Sequence, residues 1–350
     1  MTNHKISRIF PFDIANMKKV EDLLIKEGIR LDKNLDYTCA IFGEDNQVIA
    51  TGSYFGNSLR CLCVSSDYQG EGLMGSITSH LIEEEYAIGN FHLFVYTKTC
   101  SAKFFKDLGF TEIVRIDNKI SFLENKKTGF QDYVTSLEKP AEHSDKIAAL
   151  VINANPFTLG HQYLVEKAAA ENDLVHLFMV SEDKSLVPFS ARHKLITSGL
   201  SHLDNIIFHE TGPYLISQAT FPSYFQKEES QVIQSQSLLD TEIFLKIAKE
   251  LGITRRYVGE EPNSQVTAIY NEIMKEQLAQ NQIDLLIVPR KMTNNQEHLI
   301  SASTARLAIK ENNWELLETL VPKTTLEFFQ SEESKPIIDK IKKADNVVHY

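Results

Sequence analysis

The sequence predicts an α/β protein in two parts: a mixed α+β domain over residues 1–128 and a doubly wound, parallel-sheet domain over residues 146–350, with a linker at 129–145. Three observations lead there. A chain of 350 residues exceeds what one hydrophobic core usually organises. Its first third carries strand-like runs separated by short Gly- and Asn-bearing turns, as hairpins do. From Lys146 onward strands and helices alternate, the pattern of parallel βαβ units.

In the first part, 17–28 has helical apolar spacing, and 37–42, 47–55 and 59–64 read as strands. Cys61 and Cys63, two apart, fall on one face of the last strand and are expected to be reduced core residues. Four cysteines are too few for a disulfide framework, and no further ligands lie nearby for a metal. A glycine-rich turn, Gln69-Gly70-Glu71-Gly72, then follows a strand and opens a helix with Leu73, Ile77, Leu81 and Ile82 inward. Glycine lets backbone approach a pyrophosphate closely, and the helix N-terminus supplies unpaired N–H groups, so a phosphate-bearing ligand is expected. A strand at 91–97 leads into a helix at 101–110 that ends on Gly109 with Phe110 packing back. Tyr86 and Tyr96 are expected to be packed aromatics. Polar residues around Gly129 and Pro140 mark the linker.

The second part reads strand, helix, strand from 147 to 180, then a helix at 191–203 and strands at 206–210, 255–261 and 283–291 with helices between them. Residues 213–236 fit no simple unit and are expected to be an insertion. The first strand runs into Asn153-Ala154-Asn155-Pro156-Phe157-Thr158-Leu159-Gly160-His161 and a helix. Ligands of such sheets bind at the carboxyl ends of strands, where Thr158 and His161 can donate to phosphate oxygens and Gly160 permits close approach. The plainer reading makes Thr158 a helix cap and His161 a helix-entry residue. After the last strand, Ser301, Ser303 and Arg306 again enter a helix. Between these segments Lys184 and Arg192 stand on the same sheet edge, within reach of a triphosphate. Trp314 is expected in the core.

These motifs carry resemblances. The Gly70–Gly72 turn with the following strand and helix resembles the GCN5-related N-acetyltransferase fold, which implies that Gln69, Gly70, Gly72 and Gly75 grip a CoA-type group. Met74 stands where that family has a second small residue, so the domain is expected to bind such a group rather than to transfer acetyl. T-x-G-H after the first strand and I-S-x-S-x-x-R after the last resemble the nucleotidylyltransferase superfamily. That implies ATP contacts from Asn153, Asn155, Pro156, Phe157, Gly160, Arg192, Ser301 and Ser303, catalytic roles for Thr158, His161, Lys184 and Arg306, and Mg2+ held by phosphate oxygens. The two domains together resemble the citrate lyase ligase family. This implies that acetate and ATP give an acetyl-adenylate, captured by the thiol of a CoA-derived group on the citrate lyase acyl carrier protein. The alternatives are a bifunctional N-acetyltransferase/nucleotidylyltransferase making a dinucleotide or CoA precursor, and a non-catalytic sensor of acetyl-CoA or ATP.

Composition narrows the field. A formal net charge of -11 argues against a general nucleic-acid binder. No apolar run reaches bilayer-spanning length and no signal-like h-region follows the first charges, so no membrane is involved and a cytoplasmic location is expected. Arg255-Arg256, Arg290-Lys291 and Lys126-Lys127 are candidate docking charges for a partner.

Overall fold

The structure is a computed structural model that describes residues 5–140, 144–183, 185–215, 229–260, 265–292 and 299–347. Its contacts divide the chain into two compact units, Met1–Asp132 with Thr220–Ile243, and Tyr133–Ala219 with Phe244–Tyr350. Of the expected insertion at 213–236, residues 216–228 lie outside the described residues.

The first unit runs β1 (Ile6–Ile9), α1 (Ile14–Lys26), β2 (Tyr37–Phe42), β3 (Val48–Phe55), β4 (Ser58–Val64), α2 (Leu73–Ala87), β5 (Phe94–Thr97), α3 (Ala102–Asp107), β6 (Thr111–Ile116) and β7 (Ile120–Glu124), after which α4 (Gly129–Ser136) begins. The strands make one sheet in the order β1-β2-β3-β4-β5-β7-β6, antiparallel except for the β4–β5 pair. The class is the α+β arrangement expected, although β1, β6 and β7 are short and carry no clear alternation. α2 lies directly on the sheet, because a Cβ at Gly52 would come within 2.5 Å of Ile77 and 2.8 Å of Leu81. Leu73, Ile77 and Leu81 are buried as their spacing predicts, with Ile82 at the margin. α3 stops where expected: Gly109 has φ +92°, and the Phe110 ring packs edge-on against Phe105. Tyr96 stacks on Phe122, whereas Tyr86 is exposed and leans on Phe91.

The simple alternation assumed for Cys61 and Cys63 is interrupted. The β3–β4 register shifts between Thr51 and Ser53, and Cys61 takes φ +51°. Both cysteines are nevertheless buried and unbridged.

The second unit runs β8 (Ile147–Ile152), α5 (Leu159–Glu171), β9 (Leu174–Met179), α6 (Phe189–Gly199), β10 (Ile206–Glu210), the end of α7 (Glu229–Leu251), β11 (Arg255–Gly259), α8 (Gln265–Gln280), β12 (Asp284–Val288), α9 (Ala302–Lys310), α10 (Trp314–Leu320), α11 (Lys323–Gln330) and α12 (Lys335–Lys343). Its sheet is wholly parallel in the order β10-β9-β8-β11-β12. This is the doubly wound sheet expected. Strand order reverses direction at β8, and the β8–β11 pairing ends at Ala149 and Arg256 while β8 stays paired with β9 through Ile152. A crevice at such a switch point is where ligands of open parallel sheets sit. Trp314 is half-buried against the core of this unit.

One docking expectation is corrected here. Arg256 is buried with its guanidinium 3.9 Å over the Phe244 ring, and Arg255 donates to Glu171 O and Asn172 Oδ1. In a strand successive residues face opposite sides, so the two guanidinium groups leave the sheet on different faces and form no joint docking patch.

The β9–β10 pair holds two buried histidines, His176 Nδ1 lying 2.8 Å from His209 Nε2. Burial pushes both rings down to about 4, with the neighbouring His176 adding to the effect on His209. An unfolded histidine titrates near ~6.5. The folded state therefore resists protons that the unfolded state accepts, and stability is lost as pH falls from about 6.5 toward 4. One independently titrating histidine of this kind contributes about 2 kcal/mol of loss by pH 5. Denaturant unfolding followed by the single tryptophan, Trp314, should show this loss, and His176→Leu combined with His209→Leu should reduce it. Equal acid sensitivity in wild type and double variant would count against the assignment.

Candidate functional site

The turn after β8 is built by its polar side chains. Ala154 has φ +49° and the Asn155–Pro156 bond is cis. Asn155 is buried and its Oδ1 accepts from the Val187 amide at 3.0 Å. Asn153 pairs with Ser185 Oγ at 3.3 Å. Phe157 is buried so tightly that a Cβ at Gly199 would fall 2.5 Å from its ring. That ring lies parallel to His161, with centroids 5.9 Å apart.

Thr158 caps α5, and its hydroxyl accepts from the His161 amide. The capping is reciprocal. The Thr158 amide donates to His161 Nδ1 at 3.1 Å, and the Thr158 hydroxyl lies 2.8 Å from the same nitrogen. An imidazole nitrogen that accepts an N–H carries no proton, so the proton of the neutral ring resides on Nε2. Burial, reinforced by the cations of Arg290 and Arg306, pushes His161 down to about 4. Near neutral pH this half-buried ring is therefore an uncharged donor through Nε2. The cap reading holds for Thr158, whose hydroxyl proton is directed at the unprotonated Nδ1, and the cap leaves His161 its Nε2–H.

The second motif meets the first. Ser301 caps α9, accepting from the Thr304 amide at 3.0 Å. A Cβ at Gly160 would stand 3.1 Å from the carbonyl oxygen of Ile300, so the close approach that this glycine permits is to the backbone just before Ser301. Two helix N-termini thus abut, each with first-turn amides that lack intrahelical acceptors. Arg306 ties them: its buried guanidinium donates to the Asn155 carbonyl, to Val347 O at 2.7 Å and to Ser303 Oγ at 3.3 Å. Burial lowers it to about 10, which leaves it cationic.

Arg192 is buried beside this pair, bonded to the carbonyls of Val187, Asn153, Val180 and Glu182 at 2.6–3.0 Å. In this state its guanidinium frames the strand-end loops. Lys184 lies outside the described residues. Arg290 was read from the sequence only as a surface charge, yet it stands just beyond β12, donates to Glu260 O at 2.7 Å and is close enough to depress His161. Its position after a parallel strand was the signal that could have found it.

In the first unit, Gly70 and Gly72 have φ +90° and +78° and lead into α2, whose N-terminus has no side-chain cap. Gln69 precedes them in an extended conformation. Among the described residues, and apart from their own chain neighbours and local helix backbone, nothing lies within 4 Å of a Cβ built at Gly70, Gly72 or Gly75. Positive φ accounts for the first two glycines. At Gly75, inside the helix, no described residue crowds that position.

The ring state of His161 can be read directly. Imidazole 15N shifts should give the Nε2–H form from pH 8 to 5, with protonation appearing only near 4. A midpoint near the ordinary value, or an Nδ1–H form, would contradict the cap geometry.

Comparison with known proteins places these features in context. Residues 147–329 match the family model described as the citrate lyase ligase C-terminal domain. A citrate (pro-3S)-lyase ligase from Haemophilus influenzae is 36% identical over 317 residues, covering 89% of this chain and 94% of that protein. Another, from Escherichia coli, is 36% identical over 333 residues and covers 94% of each. Among solved structures, a putative acyl-CoA N-acyltransferase from Klebsiella pneumoniae aligns with 35% of this chain and 96% of that one, at 14% identity and a TM-score of 0.30.

Proposed function

The chain belongs to the citrate lyase ligase family, and on that premise we propose that it is an ATP-dependent ligase that acetylates the thiol of a CoA-derived group on the citrate lyase acyl carrier protein. The observation that carries the reading is the meeting of two helix N-termini at Gly160 and Ile300, with the neutral His161 beside them.

A carboxylate oxygen of acetate attacks the α-phosphorus of ATP, the bond from that phosphorus to the bridging oxygen breaks, and pyrophosphate leaves. Negative charge grows on the departing group. His161 Nε2–H and the first amides of α5 and α9 are oriented donors for that charge, and such donors act by preorganisation. Arg306 supplies fixed positive charge behind them. The thiol sulfur then attacks the acetyl carbon, AMP leaves, and the thiol proton passes to solvent. Among the described residues no group of three or more His, Cys, Asp or Glu is arranged to hold a metal. Mg2+ would enter with the triphosphate as part of the substrate and would lend its charge to the phosphate oxygens.

The uncapped N-terminus of α2 and the space over Gly75 suit the phosphates of the carrier's prosthetic group. Gln69, Gly70, Gly72 and Gly75 form that grip, and the adenylating residues belong to the other unit.

Purified protein with ATP, Mg2+ and labelled pyrophosphate should exchange label into ATP only when a small carboxylate, acetate above all, is present. His161→Ala should slow exchange by about 10²–10³-fold while the protein stays folded. If no carboxylate stimulates exchange, or a folded His161→Ala protein is unimpaired, the reading is wrong.

Gly75→Leu tests the division of labour. A Cβ at this helical position meets open space among the described residues, and leucine gains about 0.5–1 kcal/mol in helix propensity over glycine. Exchange should stay at the wild-type rate, whereas acetyl-thioester formation on the carrier should fall by about 10²-fold because the thiol is no longer positioned. Wild-type thioester formation in Gly75→Leu would exclude the α2 turn as the grip.

A further inference from the structure

We propose that residues 344–347 are a positioning strap for the adenylating site, holding the Arg306 guanidinium in the plane from which it braces the turn after β8. The proposal rests on the nucleotide-site reading above.

Two cations draw the strap in, and a third ties the helix before it to the loop before α6. Arg306 Nε donates to Val347 O at 2.7 Å, and Lys310 Nζ, one turn further along α9, donates to Ala344 O at 2.6 Å. Lys340 on α12 donates to Ser185 O at 2.9 Å, and the Ser185 hydroxyl is the one paired with Asn153. The strap is seated by apolar burial on both sides: Ile337 and Ile341 before it, and Val347 within it, lie in the cluster that also holds Phe157, Ile300 and Ala305. Residues late in the chain therefore contact the turn after β8, the loop before α6 and the helix of the second motif.

The geometry gives the strap a role beyond packing. A guanidinium is a rigid planar fork, so once Nε is held by Val347 O the directions of both terminal nitrogens follow. One of them meets Asn155 O and the other Ser303 Oγ. Without the Val347 carbonyl, a long side chain rich in rotamers loses its reference point, and the Asn155 carbonyl loses its oriented donor. The turn carrying Thr158 and His161 then slackens. Val347 touches no reacting atom; it acts through Arg306.

The test is acetate-dependent exchange of labelled pyrophosphate into ATP by full-length variants. Val347→Asp places a carboxylate in an apolar site and so expels the strap. Lys310→Met releases Ala344 without altering a side chain of either motif. Val347→Asp should lower kcat for exchange by about 10–10²-fold, as small misplacements of catalytic groups do, and Lys310→Met should lower it less. Val347→Ile, which keeps the apolar anchor, should restore exchange.

The decisive readout is the cycle with Arg306→Ala. In that background Val347→Asp should cost nothing further, because the strap acts through a group already removed. Wild-type exchange in folded Val347→Asp, or losses that multiply with those of Arg306→Ala, would overturn the proposal. Should Val347→Asp fail to fold, the same cycle with Lys310→Met decides. Absence of acetate-dependent exchange in the wild-type protein would instead defeat the nucleotide reading, and the strap with it; an active wild type with unimpaired strap variants defeats the strap alone.

Discussion

A guanidinium buried away from water has to find acceptors for its N–H groups, and this requirement shapes the second unit more than any other contact. Arg306 finds them on Asn155, Ser303 and Val347, three stretches far apart in the chain. Arg192 finds them on four carbonyls of the loops at the carboxyl ends of β8 and β9. Those loops leave the sheet, so their carbonyls have no ladder partners, and a buried carbonyl left unpaired is costly. Each arginine and its loop carbonyls satisfy one another. Irregular backbone at the strand ends is thereby held by side-chain hydrogen bonds.

Three glycine requirements coexist and differ in origin. Gly160 is small because the Ile300 carbonyl stands where a Cβ would press. Gly70 and Gly72 are glycine because their backbone is left-handed. Gly75 has an ordinary helical backbone, and a Cβ there would meet open space among the described residues.

The histidines show the same contrast. His161, His176 and His209 are all held neutral by burial. His161 has its Nδ1 taken by its own helix cap, which leaves the Nε2–H as a donor in the first turn of α5. His176 and His209 turn toward each other and link β9 to β10. Surroundings, rather than residue type or titration, distinguish them.

Much of this was written in the sequence. Apolar runs of strand length alternating with helical periodicity determined the parallel sheet, and a turn motif after the first strand with a second after the last marked the two helix starts that the fold brings together. These signals are local, since they depend on side-chain spacing along a few turns or one strand. The strands β1, β6 and β7 escaped because β1 is brief and β6 and β7 show no sustained alternation of apolar and polar residues. Only the tertiary structure decided that Arg256 is buried under Phe244, that Gly160 makes room for Ile300, that Arg306 faces inward to Asn155 and that Val347 O meets Arg306. Each of these is a pairing between different elements, and a side chain's burial and its acceptors are set by what packs against it, which spacing along the chain does not encode.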